Sequence, residues 1–138
     1  AIFEENKQFL IATISPKDLY SVAKSLKESK DTAFDFLFSL TGVDYDPSLT
    51  VVYHLESSTL KHKVVIKAKT EDRLNPSFPS VCDIWFAAEL QEREVFDMFG
   101  VKFENHPDLR RIFMDEDWQG YPLRKDYKDE VNIIDLIK

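Results

Sequence analysis

Glu92, Arg93, Glu94 and Asp97 crowd into one short stretch of the chain, and His106 follows soon after. Paired carboxylates support acid-base chemistry when both reach one substrate atom. A helix turns by ~100° per residue, so Glu92 and Glu94, two positions apart, project about 200° from each other and cannot share such an atom. Arg93 and Asp97 have the i, i+4 spacing of an ion pair, as do Glu89 and Arg93, which predicts one charged face. Ile84, Ala88, Val95, Met98 and Phe99 form the opposing apolar stripe, with Glu92 and Glu94 on its shoulders; Phe86 and Phe96 fall outside it. Two readings follow. In one, the charged face is solvated and each pair contributes only ~0.3–0.5 kcal/mol. In the other, another polypeptide covers that face and Phe96, and breaking a desolvated pair would cost ~3–5 kcal/mol.

The remaining reactive side chains point to no familiar chemistry. His54, His62 and His106 do not repeat at metal-ligand spacing, and the single Cys82 excludes both an internal disulfide and a C-x-x-C pair for zinc or an iron-sulfur cluster. No Gly-rich phosphate loop, G-x-S-x-G or H-E-x-x-H occurs. A small enzyme using Glu94 or Asp97 with His106 remains an alternative, and it requires those groups to converge. Arg110-Arg111 and Arg124-Lys125 lie downstream among Asp108, Asp115, Glu116, Asp117 and Asp126. They are either solvated loop charge or guanidinium and ammonium groups aimed at a partner's oxygens. Trp118, Tyr121 and Tyr127 beside them are of the type that anchors interfaces.

The rest of the chain must position this segment. Phe9–Ile14 reads as a strand, and Ser15-Pro16-Lys17-Asp18 as a helix start with an N-cap, a proline at N1 and an acidic N3. Leu19, Val22, Ala23 and Leu26 continue that helix. A second helix is expected from Thr32 to Gly42, because Phe34, Leu37 and Phe38 fall at i, i+3 and i+4. Leu49–Leu55 and Lys63–Lys69 read as a hairpin joined at Ser57-Ser58-Thr59. Lysines at both ends of the second strand would protect it at a sheet margin. Residues 70–79 read as irregular, and Ser80-Val81-Cys82-Asp83 as the cap opening the charged segment. Beyond Gly100 the pattern is extended and polar, with Pro107, Gly120 and Pro122, the character of a tail that lies on a partner.

At 138 residues, 43% hydrophobic and with eleven Phe, the chain has core material for one domain. A net charge of −7 argues against a nucleic-acid surface. No apolar run approaches the ~20 residues of a membrane span, and the start lacks a signal-peptide pattern. The expected fold is α+β in two layers: a mainly antiparallel or mixed sheet with helices on one face. Residues 1–104 form the compact domain and 105–138 an extended C-terminal arm.

Several motifs resemble, in order and spacing, the signature of the 30-kDa subunit of respiratory complex I, the proton-translocating NADH:quinone oxidoreductase. They are Glu92-Arg93-Glu94, Asp97-Met98-Phe99-Gly100, His106-Pro107-Asp108-Leu109-Arg110-Arg111-Ile112 and Gly120-Tyr121-Pro122-Leu123-Arg124-Lys125-Asp126-Tyr127. Leu40–Tyr45 and Pro79–Trp85 are similar too, whereas Phe113, Tyr121 and the end Val131–Lys138 depart from the pattern. The resemblance implies a peripheral-arm subunit without catalytic, cofactor or metal residues of its own. It would pack on the 49-kDa-type subunit that lines the quinone site and on other peripheral-arm subunits, meeting the membrane only through the complex. NAD, FMN, iron-sulfur clusters and quinone would belong to those other subunits. The location implied is the cytoplasmic face of a bacterial inner membrane, or the matrix side in mitochondria. Related subunits serve membrane-bound hydrogenases and other quinone reductases. The interface residues expected are Glu92, Arg93, Glu94, Phe96, Asp97, His106, Arg110, Arg111, Trp118, Tyr121, Arg124, Lys125 and Tyr127.

Overall fold

A computed structural model of the chain describes residues 2–5 and 10–127. A mixed sheet of five strands carries the fold. β1 (Ile2–Glu5) pairs antiparallel with β2 (Leu10–Ile14), and β2 runs parallel to β5 (Lys63–Thr70). β5 pairs antiparallel with β4 (Leu49–Glu56), and β4 with β3 (Phe36–Asp44) at the far edge. β5 therefore lies inside the sheet, and its terminal lysines guard no margin. A short second sheet joins β6 (Ser77–Pro79) to β7 (Lys102–Glu104), with the Phe78 and Phe103 rings 6.3 Å apart.

Strand alternation decides which face the helices cover. Ala12 and Ile14, Val64, Ile66 and Ala68, Val51, Tyr53 and Leu55, and Leu37 and Leu40 share one buried face across the paired strands. Helix α1 (Pro16–Glu28) buries Leu19 and Ala23 against it. Helix α2 (Ala88–Phe99) lies on the same face, with Val95 and Phe99 closing over Gly42 of β3. A Cβ at Gly42 would come within 2.7 Å of the Phe99 ring, so the bare backbone there lets α2 sit close. This is the expected two-layer α+β architecture.

Three local expectations are corrected. The helix predicted from Thr32 to Gly42 is strand β3. A β-bulge between Leu37 and Ser39 pushes Phe38 out of register, so Leu37 and Leu40, three residues apart, both face the core and imitate helical spacing. Ser80 does not open α2: residues 81–87 are mostly turns, and the helix starts at Ala88. Ser15 does precede α1, but its hydroxyl bonds the Asp18 carboxylate rather than a backbone N–H.

Over residues 105–127 the arm has no regular secondary structure, yet it returns to α2 rather than extending away. The Leu123 N–H donates to the Met98 carbonyl, and the Lys125 N–H to the Asp44 carboxylate, 81 residues away. The terminal stretch Val131–Lys138 lies outside the described residues, as does the predicted strand start at Phe9.

Candidate functional site

Helix α2 ends at Gly100, whose φ of +74° closes the helix through its N–H to the Phe96 carbonyl. The Tyr121 ring lies where a Cβ at Gly100 would fall, at 2.6 Å. Phe96, 6.2 Å from the same ring, is half-buried by the chain's own arm. Phe86, just before α2, is instead the aromatic left bare, at 83% exposure.

Asp97 is the hub of this region. The side chain is completely buried and takes Arg111 Nε–H on Oδ1 at 2.7 Å. Its Oδ2 accepts three successive backbone N–H groups, from Ile112, Phe113 and Met114, at 3.1, 2.6 and 3.2 Å. Burial pushes the carboxyl up, but Arg111 and the three N–H groups outweigh it and hold it below the usual carboxylate range. Arg111 also donates to the carbonyls of Asp97, Trp118 and Gly120 and lies 4.9 Å from the centre of the Tyr121 ring. Arg93 does not pair with Asp97, contrary to expectation; it donates to the Arg110 and Arg111 carbonyls. The i, i+4 spacing was sound, but buried Asp97 had better donors in the returning arm.

A second clasp holds the end of the arm. Arg124 donates to the Phe99 and Arg73 carbonyls and pairs with Asp126 at 2.8 Å. Arg73 grips Asp44 through both its terminal nitrogens, at 2.7 and 2.8 Å, and holds that carboxyl well below its ordinary value. Arg124 lowers Asp126 to about 2. Asp44 lies in the Leu40–Tyr45 stretch that carries the resemblance, but was given no role there, and no motif marked Arg73. Asp44 is the last residue of β3 and is buried, a placement that calls for a partner.

Glu92 behaves in the opposite way. It is also fully buried, but it accepts only Ser80 Oγ–H at 2.6 Å and the Val81 N–H at 3.0 Å. Burial raises its carboxyl to about 7 despite those two bonds. His106 Nε2 stands 4.0 Å from Glu92 Oε1. The histidine's Nδ1 accepts the Asp108 N–H at 2.9 Å, so Nε2 carries the proton and donates to the Glu89 carbonyl at 2.8 Å.

The expected interface residues thus separate. Glu92, Asp97 and the His106 side chain are enclosed by this chain and present no surface. Arg93, Arg111, Tyr121, Arg124 and Tyr127 are half-buried, and the first four hold the arm down. Glu94 is half-buried, whereas Arg110, Trp118 and Lys125 face outward. Phe86, Leu90 and Phe113, not among the expected interface residues, are exposed as well. Asp97 and His106 do not converge: the Asp97 carboxylate is held by Arg111 and the N–H groups of residues 112–114, whereas His106 lies beside Glu92. Among the described residues no group of three or more His, Cys, Asp or Glu could hold a metal, and no helix is long and apolar enough to cross a membrane.

These features define a small α+β module whose carboxylates and guanidinium groups are spent on fastening its own C-terminal arm, leaving apolar side chains outside. The chain belongs to the family described as the respiratory-chain NADH dehydrogenase, 30 Kd subunit, whose model matches residues 12–131. It is 46% identical over 120 residues to the NADH-quinone oxidoreductase C/D subunit of Phocaeicola vulgatus, covering 86% of this chain but 23% of that protein. It is 45% identical over 116 residues to the NADH-quinone oxidoreductase C subunit of Roseiflexus castenholzii, covering 82% of this chain and 66% of the relative. For the corresponding C subunit of Chlorobium phaeobacteroides the identity is 40% over 130 residues, covering 91% and 78%. The chain therefore spans about a quarter of the C/D relative, and 66% and 78% of these two C-subunit relatives. A chain in the solved membrane-bound sulfane sulfur reductase, an archaeal respiratory membrane complex, superposes with a TM-score of 0.77 at 28% identity, covering 92% of this chain and 76% of that one.

Proposed function

We propose that the chain is a non-catalytic assembly subunit in the peripheral arm of a proton-translocating NADH:quinone oxidoreductase, docked on the 49-kDa-type subunit. The observation that carries this reading is the family match along nearly the whole chain. The C/D names add support, because there the matched region is 23% of a longer polypeptide that joins a C part to a D part. NAD, FMN, iron-sulfur clusters and quinone then belong to other subunits, and the complex lies at the cytoplasmic face of the membrane.

The contact surface is the outer side of α2 and the arm. Phe86, in the turn before α2, and Leu90, in its first turn, are 83% and 53% exposed; Phe113, 64% exposed, sits on the segment clamped to Asp97. Arg110, Trp118 and Lys125 provide the polar rim. Co-expression with the 49-kDa-type subunit and capture through a tag on either chain tests this. Phe86→Asp and Arg110→Ala should each weaken capture at least tenfold and leave the melting temperature of the isolated chain unchanged. Absence of association in the unaltered pair overturns the reading.

A second reading, the equivalent subunit of a related membrane-bound complex, is favoured by the structural match to the sulfane sulfur reductase. Purifying the complex through this chain and comparing NADH:quinone with sulfane sulfur reduction separates the two.

A further inference from the structure

The arm is rooted beside Glu92, a carboxyl with no cation among its contacts in the described residues. Its Oε2 accepts the Val81 N–H, so a proton on this group sits on Oε1. Ser80 Oγ, which already accepts the Cys82 N–H, can receive that proton without any heavy atom moving. The site thus accommodates the neutral acid. Ionisation instead leaves an anion in a dry interior, where an unpaired charge is costly. The nearest mobile donor is then His106 Nε2–H, which bonds the Glu89 carbonyl and stands 4.0 Å from Glu92 Oε1.

We propose that the Glu92 carboxyl is a buried proton-binding site that selects the acceptor of His106 Nε2–H. The acceptor is the Glu89 carbonyl when Glu92 is protonated and Glu92 Oε1 when it is ionised. His106 is the first anchor of the arm, and its Nδ1 holds the Asp108 N–H, so the exchange shifts the His106-Pro107-Asp108 turn. The proton is exchanged with solvent, and His106 Nδ1 remains the acceptor of the Asp108 N–H. Ser80 and Val81 favour the charge on Glu92, but burial and the remaining groups around it oppose that charge. Tyr53 of β4 is completely buried, its hydroxyl pushed up by burial and then by Glu92. Asp83 raises Glu92 from the turn before α2, and Cys82 in the same turn is raised by burial and by Glu92, Asp83 and Glu89. Near neutral pH the ionised form keeps the Val81 N–H and the Ser80 hydroxyl, and His106 Nε2–H is the further donor within reach among the described residues.

The test is an NMR titration of the 138-residue chain with labelled glutamate carboxyl carbons and histidine ring nitrogens. The expected result is a Glu92 midpoint of about 7, with the Asp108 amide and His106 Nε2–H shifting at the same midpoint. Glu92→Gln should hold the Asp108 amide at its low-pH position across the range. A Glu92 midpoint near the ordinary 4.5 overturns the proposal. So does an unmoved Asp108 amide, or ring nitrogens reporting imidazolium over the same interval. The wild-type titration decides these points even if the variant does not fold.

Discussion

Asp97→Asn is the most demanding single change the arm can be given, because it keeps the shape and removes the charge. Asparagine has one acceptor oxygen. If that oxygen keeps the three N–H groups of residues 112–114, the new NH₂ faces Arg111 Nε–H, donor against donor. The Arg111 side chain, only 8% exposed, then loses its counter-charge. Stripping one partner from a buried pair costs ~3–5 kcal/mol. Arg111 keeps three carbonyl acceptors, which argues for the lower figure. A loss of about 3 kcal/mol is a large share of the ~5–15 kcal/mol that stabilises a typical domain. It corresponds to a fall in melting temperature of roughly 10 °C at this length. Because the folded carboxyl lies below its ordinary 3.8, its contribution is present above pH 3.8 and lost as pH falls through the lower folded value. Circular-dichroism melts of both proteins should therefore differ fully at neutral pH and converge in acid. A fall of less than about 2 °C at neutral pH, or a gap unchanged in acid, would refute this account of the clamp.

Glu92 has the opposite sign. Its folded value of about 7 lies above the ordinary 4.5, so its contribution is fully present below pH 4.5 and lost as pH rises through 7. At 1.36 kcal/mol per pKa unit the wild-type chain loses about 3 kcal/mol across that interval, and Glu92→Gln should flatten the dependence in urea titrations at a series of pH values. Gly42→Ala forces a methyl to 2.7 Å from Phe99 and should cost about 1–3 kcal/mol, read as a lower thermal midpoint. Gly100→Ala meets the Tyr121 ring and a positive φ together; accelerated proteolysis at the arm, with the sheet still protected in hydrogen exchange, is the outcome expected.

Where one period ruled, the sequence was readable. α1 and strands β2, β4 and β5 fall within a residue or two of expectation, because alternation and helical spacing there reflect one buried face. β3 was misread because a bulge inserts a residue and turns alternation into a three-residue step. The signature was legible as a pattern but not as a structure. Two acids on one helix, Glu92 and Asp97, have the same intrinsic chemistry, and only residues brought in from Ser80 and from the arm push one up and the other down. The arm's reversal onto α2 was equally hidden: beside the side chains of His106, Arg111 and Arg124, many of its ties are backbone carbonyls and N–H groups, which nearly every residue type supplies alike.

That last property has a consequence for how the surface can change. Asp97 fastens the segment through the N–H groups of Ile112, Phe113 and Met114, and Arg93 through the carbonyls of Arg110 and Arg111. The side chains at 110 and 113 point outward and take no part in the grip. The chain thus behaves as a frame with interchangeable tiles: short of proline, residues at 110 and 113 can be replaced to suit a different neighbour without re-engineering the mount that holds them.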